Sequence, residues 1–294
     1  MRNVAIVAHV DHGKTTLVDA LLKQTGAHEF KEGEVTILDS NPLEKERGIT
    51  IFSKNASLKY KDVQINIVDT PGHADFGSEV ERILKMVDGV LLLVDAMDGP
   101  MPQTKFVLRK SLELHLKPIL VVNKVDRPNA RPDQVVDWTF DLFCELSASD
   151  DQLDFAIVYA SAKQGWAALE LEHPRENMKP LLDTILHRVL PPIADPEKPF
   201  QMLVTMLDYD SYVGRIATGR VVHGSIKNQD TIALIKRDGT IHRSKVTKIL
   251  RYQGLKRVEI PEAKAGDIIS IAGVEEVQVG ETLASSEHPE ALPT

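Results

Sequence analysis

The chain has 294 residues, 43% of them hydrophobic, which is material for about two domains with a core each. Thirty-five basic against 43 acidic residues leave a net charge of −8, so the chain as a whole does not read as a DNA-binding or general nucleic-acid-binding protein. No apolar run reaches the roughly 18 residues of a membrane-spanning helix, and the charged loop at Asp11 comes too early for a secretory signal peptide, so no membrane partner is expected.

The first element is an apolar run over 4–8 that reads as a buried strand. It opens into His9-Val10-Asp11-His12-Gly13-Lys14-Thr15-Thr16, then into a helix pattern with Leu17, Val18, Leu21 and Leu22 on one face. Strand, tight loop ending in Gly-Lys-Thr and helix start together have the form of a phosphate-binding loop. Backbone N–H groups of the loop and the helix start point at one spot, where an anion satisfies them. Lys14 would reach the β- and γ-phosphates, and the Thr15 hydroxyl would ligate Mg²⁺. Ala8 stands where the general pattern asks for glycine, so the loop taken alone also reads as a plain strand–turn–helix.

Residues 25–50 are polar and weakly patterned, and a loop of that length in a compact domain is usually functional or mobile. Strand-like runs over 51–60 and 63–69 follow, with only Lys61-Asp62 between them, which predicts an antiparallel hairpin. The second run ends in Asp69-Thr70-Pro71-Gly72-His73. A strand opening onto aspartate at its carboxyl end is where α/β folds place ligand groups, so Asp69 is the natural partner of the Mg²⁺ held by Thr15. Gly72 would let a backbone N–H approach the terminal phosphate; alone it is also an ordinary turn glycine before a helix over 74–87.

A strand over 89–95, a helix over 102–116 and a strand over 118–122 come next, ending in Asn123-Lys124-Val125-Asp126. The Asp126 carboxylate can accept from the ring N–H and exocyclic amine of guanine, which adenine lacks at those positions. A site built on such a pair rejects the analogue by orders of magnitude. Asn123 would reach the other edge of the base, and the Lys124 stem would cover a ring face. The stretch 127–154 holds a further helix, in whose amphipathic part, 135–146, the lone Cys144 reads as a packed core thiol. A single cysteine forms no internal disulfide and fits a reducing, cytoplasmic setting. A strand over 156–160 runs into Ser161-Ala162-Lys163, whose backbone would contact the guanine oxygen, and a core helix over 178–190 closes the domain. Singly these short motifs say little. Their order along the chain, at strand carboxyl ends, points to a GTP-binding domain with a mostly parallel sheet flanked by helices.

Pro191, Pro192, Pro196 and Pro199 make a stiff spacer and put the boundary near residue 195, giving a first domain over 1–195 and a second over 196–286. The pattern then changes to short strands over 201–207, 214–222, 231–235, 241–250 and 267–272, with Asp238-Gly239 as a hairpin signal. Such a run without helices reads as a small antiparallel β-barrel. Between Lys236 and Arg257 lie eight Lys/Arg residues and one acid, Asp238. That stripe suits RNA phosphates and equally a solvated strand face, and Tyr209 and Tyr212 near the linker suit either RNA or packing against the first domain. Residues 287–294 read as the start of a linker.

These motifs resemble those of the translational GTPases. Residues 8–16 look like their phosphate loop, in which alanine often replaces the first glycine. Arg47-Gly48-Ile49-Thr50-Ile51 is similar to their switch I and 69–73 to their switch II. Within that group, segments 38–41, 43–46, 98–104, 123–128 and 130–133 most resemble the ribosome-associated BipA/TypA proteins, and 219–224 and 265–269 resemble the second-domain barrel of translation factors. The likeness covers essentially the whole chain, which then looks like a two-domain fragment of a longer protein.

The resemblance implies hydrolysis of GTP to GDP and phosphate, with Thr50 joining Thr15 and Asp69 on Mg²⁺ and Gly72 sensing the γ-phosphate. His73 would orient the attacking water beside an apolar gate of Val10 and Ile49, and Asp11 would help hold a monovalent cation such as K⁺. The implied partner and activator is the ribosome, through its RNA and proteins. With no P-loop arginine to act in cis, unassisted hydrolysis is expected to be slow, on the order of 10⁻⁴ to 10⁻² s⁻¹. Alternatives are a sibling of the elongation factor G or LepA type, and a GTP-gated ribosome-binding module whose hydrolysis only resets it. A monomer is expected.

Overall fold

The computed structural model describes residues 1–27, 55–70 and 77–293. They form two compact units, Met1–Pro191 and Pro192–Thr294. Among the described residues no helix is long and apolar enough to cross a membrane.

In the first unit, β1 (Arg2–Ala8), β4 (Gly89–Asp95) and β5 (Lys117–Asn123) are buried along almost their whole length. Continuous apolar runs of this kind belong to strands covered on both faces. They form the centre of a seven-stranded sheet completed by β2 (Asn55–Tyr60), β3 (Val63–Asp69), β6 (Ala156–Ser161) and β7 (Trp166–Ala168), in the order β2–β3–β1–β4–β5–β6–β7. Pairing is parallel from β3 through β6 and antiparallel at both edges. Lys61 and Asp62 join β2 to β3, both with positive φ (47° and 62°), the geometry of a two-residue hairpin turn. The parallel register lines up Ile6 with Asp69, Ala8 with Leu93, Asp95 with Asn123, and Asn123 with Ala160. The carboxyl ends of five strands therefore share one rim, where such sheets bind ligands.

The helices are α1 (Lys14–Gln24), α2 (Gly77–Leu84), α3 (Pro102–Glu113), α4 (Pro132–Glu145), α5 (Asp150–Leu153) and α6 (Lys179–Arg188). In α1 the expected face, Leu17, Val18, Leu21 and Leu22, is buried. Prolines stand first in α3 and α4 and second in α6, within the first turn, where the missing N–H removes no helix bond. The expected residues 51–54 of the first hairpin strand and 74–76 of the following helix lie outside the described residues.

Two first-unit features depart from the sequence reading. Cys144 is exposed, not packed in the core. Helix α4 buries Val135, Thr139 and Phe143, a row spaced by four, and Cys144 lies about 100° further round. Strand β7 was not anticipated either. Its three residues are too few to display an alternating pattern, yet Trp166 is buried there with the Arg175 guanidinium 4.9 Å from its ring centre.

The second unit is an antiparallel sheet of eight strands, β8 (Gln201–Asp210), β9 (Gly214–His223), β11 (Thr231–Ile235), β12 (Ile241–Lys245), β13 (Lys248–Gln253), β14 (Lys256–Ile260), β16 (Ile268–Ala272) and β17 (Thr282–Ser285). The short pair β10 (Ser225–Lys227) and β15 (Glu262–Lys264) forms a separate two-stranded sheet. One apolar core, including Met202, Val204, Val221, Leu234, Ile249 and Leu283, fills the unit. The expected strand over 241–250 is two strands. The chain changes partner between them, Val246 N–H turning to Asp230 O and Thr247 N–H to Ala272 O, each at 2.9 Å. Asp238-Gly239 makes the turn between β11 and β12, with Gly239 at φ 84°.

Gly219 of β9 shows how closely the strands of this unit approach. A Cβ there would lie 2.1 Å from the Leu203 carbonyl oxygen, a backbone atom with no rotamer to give way. Gly219→Ala is expected to destabilise the unit by at least about 1–3 kcal/mol, read as a lower urea midpoint for its unfolding by circular dichroism.

Candidate functional site

The rim of the first unit gathers four of the loops singled out in the sequence. Gly13 closes the phosphate loop at φ 95°, a conformation glycine adopts without cost, and its carbonyl accepts the Leu17 N–H at 2.9 Å to start α1. A Cβ on Gly13 would sit 2.5 Å from Asn123 Nδ2, so the loop and the end of β5 are in direct contact. Asn123 Nδ2 donates to His12 O at 2.9 Å, and Asn123 Oδ1 accepts the Ala162 N–H at 3.0 Å. One amide thus joins the phosphate loop, the Asn-Lys-x-Asp turn and the Ser-Ala-Lys turn. Ser161 and Ala162 are buried in that arrangement, while Asp126, Lys163 and Asp11 are exposed.

Lys14 and Asp69 meet beneath the phosphate loop. Lys14 Nζ lies 2.7 Å from Asp69 Oδ1 and donates to Thr70 O at 2.6 Å, with both side chains buried. Thr70 is itself fixed, its hydroxyl donating to Ile6 O at 2.8 Å. A buried ammonium and carboxylate in contact interact far more strongly than an exposed pair, and removing either leaves the other uncompensated. Thr15 and Thr16 stand half-buried in the first turn of α1. The carboxylate of Asp69 and the hydroxyl of Thr15 are hard oxygen donors of the kind Mg²⁺ prefers. That donor set, with the glycine-tight loop above it, fits a metal-bound phosphate. Thr50, Gly72 and His73, with Ile49, lie outside the described residues.

The sequence reading passed over Asp95. It ends β4 as Asp69 ends β3, and that shared signal, an acid closing an apolar strand, was available. Asp95 Oδ2 lies 2.7 Å from Lys124 Nζ and 3.7 Å from Arg127 Nη1, and Oδ1 accepts the Met97 N–H at 2.8 Å. Burial pushes its pKa up, but the Lys124 and Met97 hydrogen bonds outweigh burial and hold the carboxyl below its ordinary value. Lys124, at φ 65°, also donates to Asp11 O.

In the second unit the basic stripe is partly neutralised. Lys236 pairs with Glu276 at 3.2 Å, Lys248 with Glu259 at 3.3 Å and Arg257 with Asp208 at 2.7 Å. Tyr209 and Tyr212, on and just beyond β8, are largely exposed.

Residues 1–191 match the family model described as the elongation factor Tu GTP binding domain. The chain belongs to this family. Residues 214–284 match a second model, elongation factor Tu domain 2, so the β unit follows the GTP-binding domain as it does in translation factors. Within the family the chain is similar to proteins named large ribosomal subunit assembly factor BipA. It is 58% identical over its full length to the one from Synechocystis sp., covering 49% of that protein, and 55% identical to the one from Bacillus subtilis, covering 48%. The chain therefore spans about half the length of the curated relatives it matches. Among solved structures, a translation elongation factor SelB from Methanococcus maripaludis, in complex with the GTP analogue GppNHp, aligns with a TM-score of 0.73 at 23% identity. The alignment covers 98% of this chain and 55% of that one, and it supports the fold.

His12 of this GTP-binding fold is buried, with Nδ1 donating to Leu93 O at 3.4 Å and its ring edge-on to His9 at 5.3 Å. Burial is the largest influence on it and lowers its pKa, against the raising effects of the Leu93 carbonyl and Asp95. The unfolded histidine binds its proton near pH 6.5, above the folded value. The stability His12 confers is therefore present above about pH 6.5 and lost as pH falls towards the folded pKa. The unfolding midpoint is expected to drop more steeply between about pH 7 and 5 for the wild type than for His12→Asn. Equal slopes in a midpoint-against-pH series would refute this.

Proposed function

We propose that this chain is the GTP-binding and GTP-hydrolysing part of a ribosome-associated switch of the BipA/TypA type. The observation that carries the reading is the Asn123 amide, which brings the phosphate loop and both base-reading turns to one rim beside the buried Lys14–Asp69 pair. Membership of the GTP-binding family and likeness to named ribosomal assembly factors support it further.

In this reading the loop amides from Asp11 to Thr16 and the Lys14 ammonium hold the β- and γ-phosphates. The Lys14 Nζ, now shared by Asp69 and the Thr70 carbonyl, turns towards the phosphate oxygens. Asp69, Thr15 and Thr50 would hold Mg²⁺, which neutralises charge developing on the phosphoryl oxygens. Asp126 accepts the two guanine donors, the Lys124 stem covers the ring, and the Ser161–Lys163 backbone meets the guanine oxygen. Gly72 donates its N–H to the terminal phosphate, and His73 orients the attacking water next to Val10 and Ile49. Asp11 would help hold a monovalent cation such as K⁺.

Phosphoryl transfer needs positioning and charge neutralisation more than covalent help, so a phosphate loop with no arginine of its own hydrolyses GTP slowly until a partner completes the site. The ribosome is that partner, in the cytoplasm. GTP holds residues 25–50 through Thr50 and Gly72, and hydrolysis releases them, which makes the domain a timer.

Calorimetry with Mg²⁺ is expected to give GDP binding at least about 100-fold tighter than ADP, as a site built on buried hydrogen bonds discriminates by orders of magnitude. Lys14→Ala is expected to lose about 10- to 100-fold in affinity, the value of a charge-assisted hydrogen bond. In GTP hydrolysis assays, ribosomes should stimulate the wild type, and His73→Ala should lower that stimulated rate by about 100-fold or more without weakening GDP binding. Equal affinity for GDP and ADP would sink the proposal.

A further inference from the structure

We propose that Asp95 is a positioning residue for guanine binding, holding Lys124 so that the lysine stem forms a fixed wall of the base site. The inference rests on the GTP-binding reading above and extends it to a residue outside its motifs.

The geometry is that of a rivet. Lys124 Nζ is gripped from one side by Asp95 Oδ2 at 2.7 Å and from the other by the Asp11 carbonyl. The methylene stem is thereby stretched between the tip of its own turn and the end of β4. A lysine in water keeps its rotamer freedom and gives it up only when a ligand arrives, which weakens binding. Lys124 is already ordered, so a ring laid against its stem meets a surface set in advance.

Asp95 can act this way because its own frame is rigid. Ala96 N–H donates to Asn123 O at 2.8 Å and Gly99 N–H to Asp95 O at 3.0 Å. Arg131 clamps the loop that follows, its backbone N–H donating to Ala96 O at 2.8 Å and its Nε to Met97 O at 3.1 Å. Gly99 has no room for a Cβ, which would lie 2.7 Å from the Trp138 ring. The Asp95 side chain is 1% exposed, and a carboxylate so deeply buried is costly unless paired. In the reading above the Mg²⁺-facing carboxylate is Asp69, so the ion pairs of Asp95, with Lys124 at 2.7 Å and with the more distant and more exposed Arg127 at 3.7 Å, account for a charge at this position.

The test is calorimetric titration of the 294-residue chain with GDP and Mg²⁺, using Asp95→Asn in the wild-type and Lys124→Met backgrounds, with thermal unfolding of each. Asp95→Asn keeps the side chain's size and an acceptor for the Met97 N–H. In the wild-type background it is expected to weaken GDP binding about tenfold. In the Lys124→Met background it is expected to change affinity less than about twofold, because the group it positions is gone. Equal losses in both backgrounds would mark a general structural role and overturn the proposal, as would unchanged affinity in the wild-type background. Should Asp95→Asn not fold, Asp95→Glu, which keeps the charge and displaces the ammonium, is read in the same two backgrounds by the same criteria. A wild-type chain that binds ADP as tightly as GDP overturns the GTP-binding reading and this inference together, whereas a guanine preference untouched by Asp95→Asn overturns this inference alone.

Discussion

The site depends on a single carboxamide. Asn123 lies buried at the end of a central strand, and its two polar ends face different loops. Inside a protein, a donor or acceptor left without a partner costs about 1–3 kcal/mol, so neither loop can drift without penalty. The contact with Gly13 tightens this further, because the loop approaches so closely that no side chain fits between them. The phosphate loop, the Asn-Lys-x-Asp turn and the Ser-Ala-Lys turn are therefore one mechanical piece. A ligand held by one of these loops would be aligned by the others.

Around that piece lie two ion pairs, the buried Lys14 with Asp69 and the half-buried Lys124 with the buried Asp95. Each joins a lysine from a loop or helix start to an aspartate that ends a strand. The parallel sheet explains the repetition. Neighbouring strands in register deliver their last residues to the same rim, so acids at those positions collect where the loops turn back. Neither pair is a stability device in the first instance, since apolar residues of like volume usually hold a core as well. Each keeps its ammonium at the rim, beside the loops that turn there.

Much of this was legible in the chain because the chemistry leaves periodic or punctuated traces. Buried central strands read as unbroken apolar runs, α1 as a four-residue face, and Asp238-Gly239 as a turn. What escaped had weaker signals. Strand β7 is shorter than any alternation can reveal, and the break at Val246–Thr247 reflects a change of hydrogen-bond partner with no glycine or proline to announce it. Cys144 was misplaced because an amphipathic pattern fixes the direction of a face but not its width. Asp95 was overlooked although its context duplicates that of Asp69, for it belongs to no motif of its own.

Strand β7 carries a consequence beyond the site. Strand β6 is the last of the parallel set, and the far side of Tyr159–Ser161 would otherwise offer bare peptide groups to any extended segment that passed. A three-residue strand, pinned through a tryptophan under a guanidinium, occupies that side. Loosening the pin by replacing Arg175 or Trp166 would turn a sealed border into a sticky one, and the harm would appear as clumping between molecules at high concentration before any loss of ligand binding.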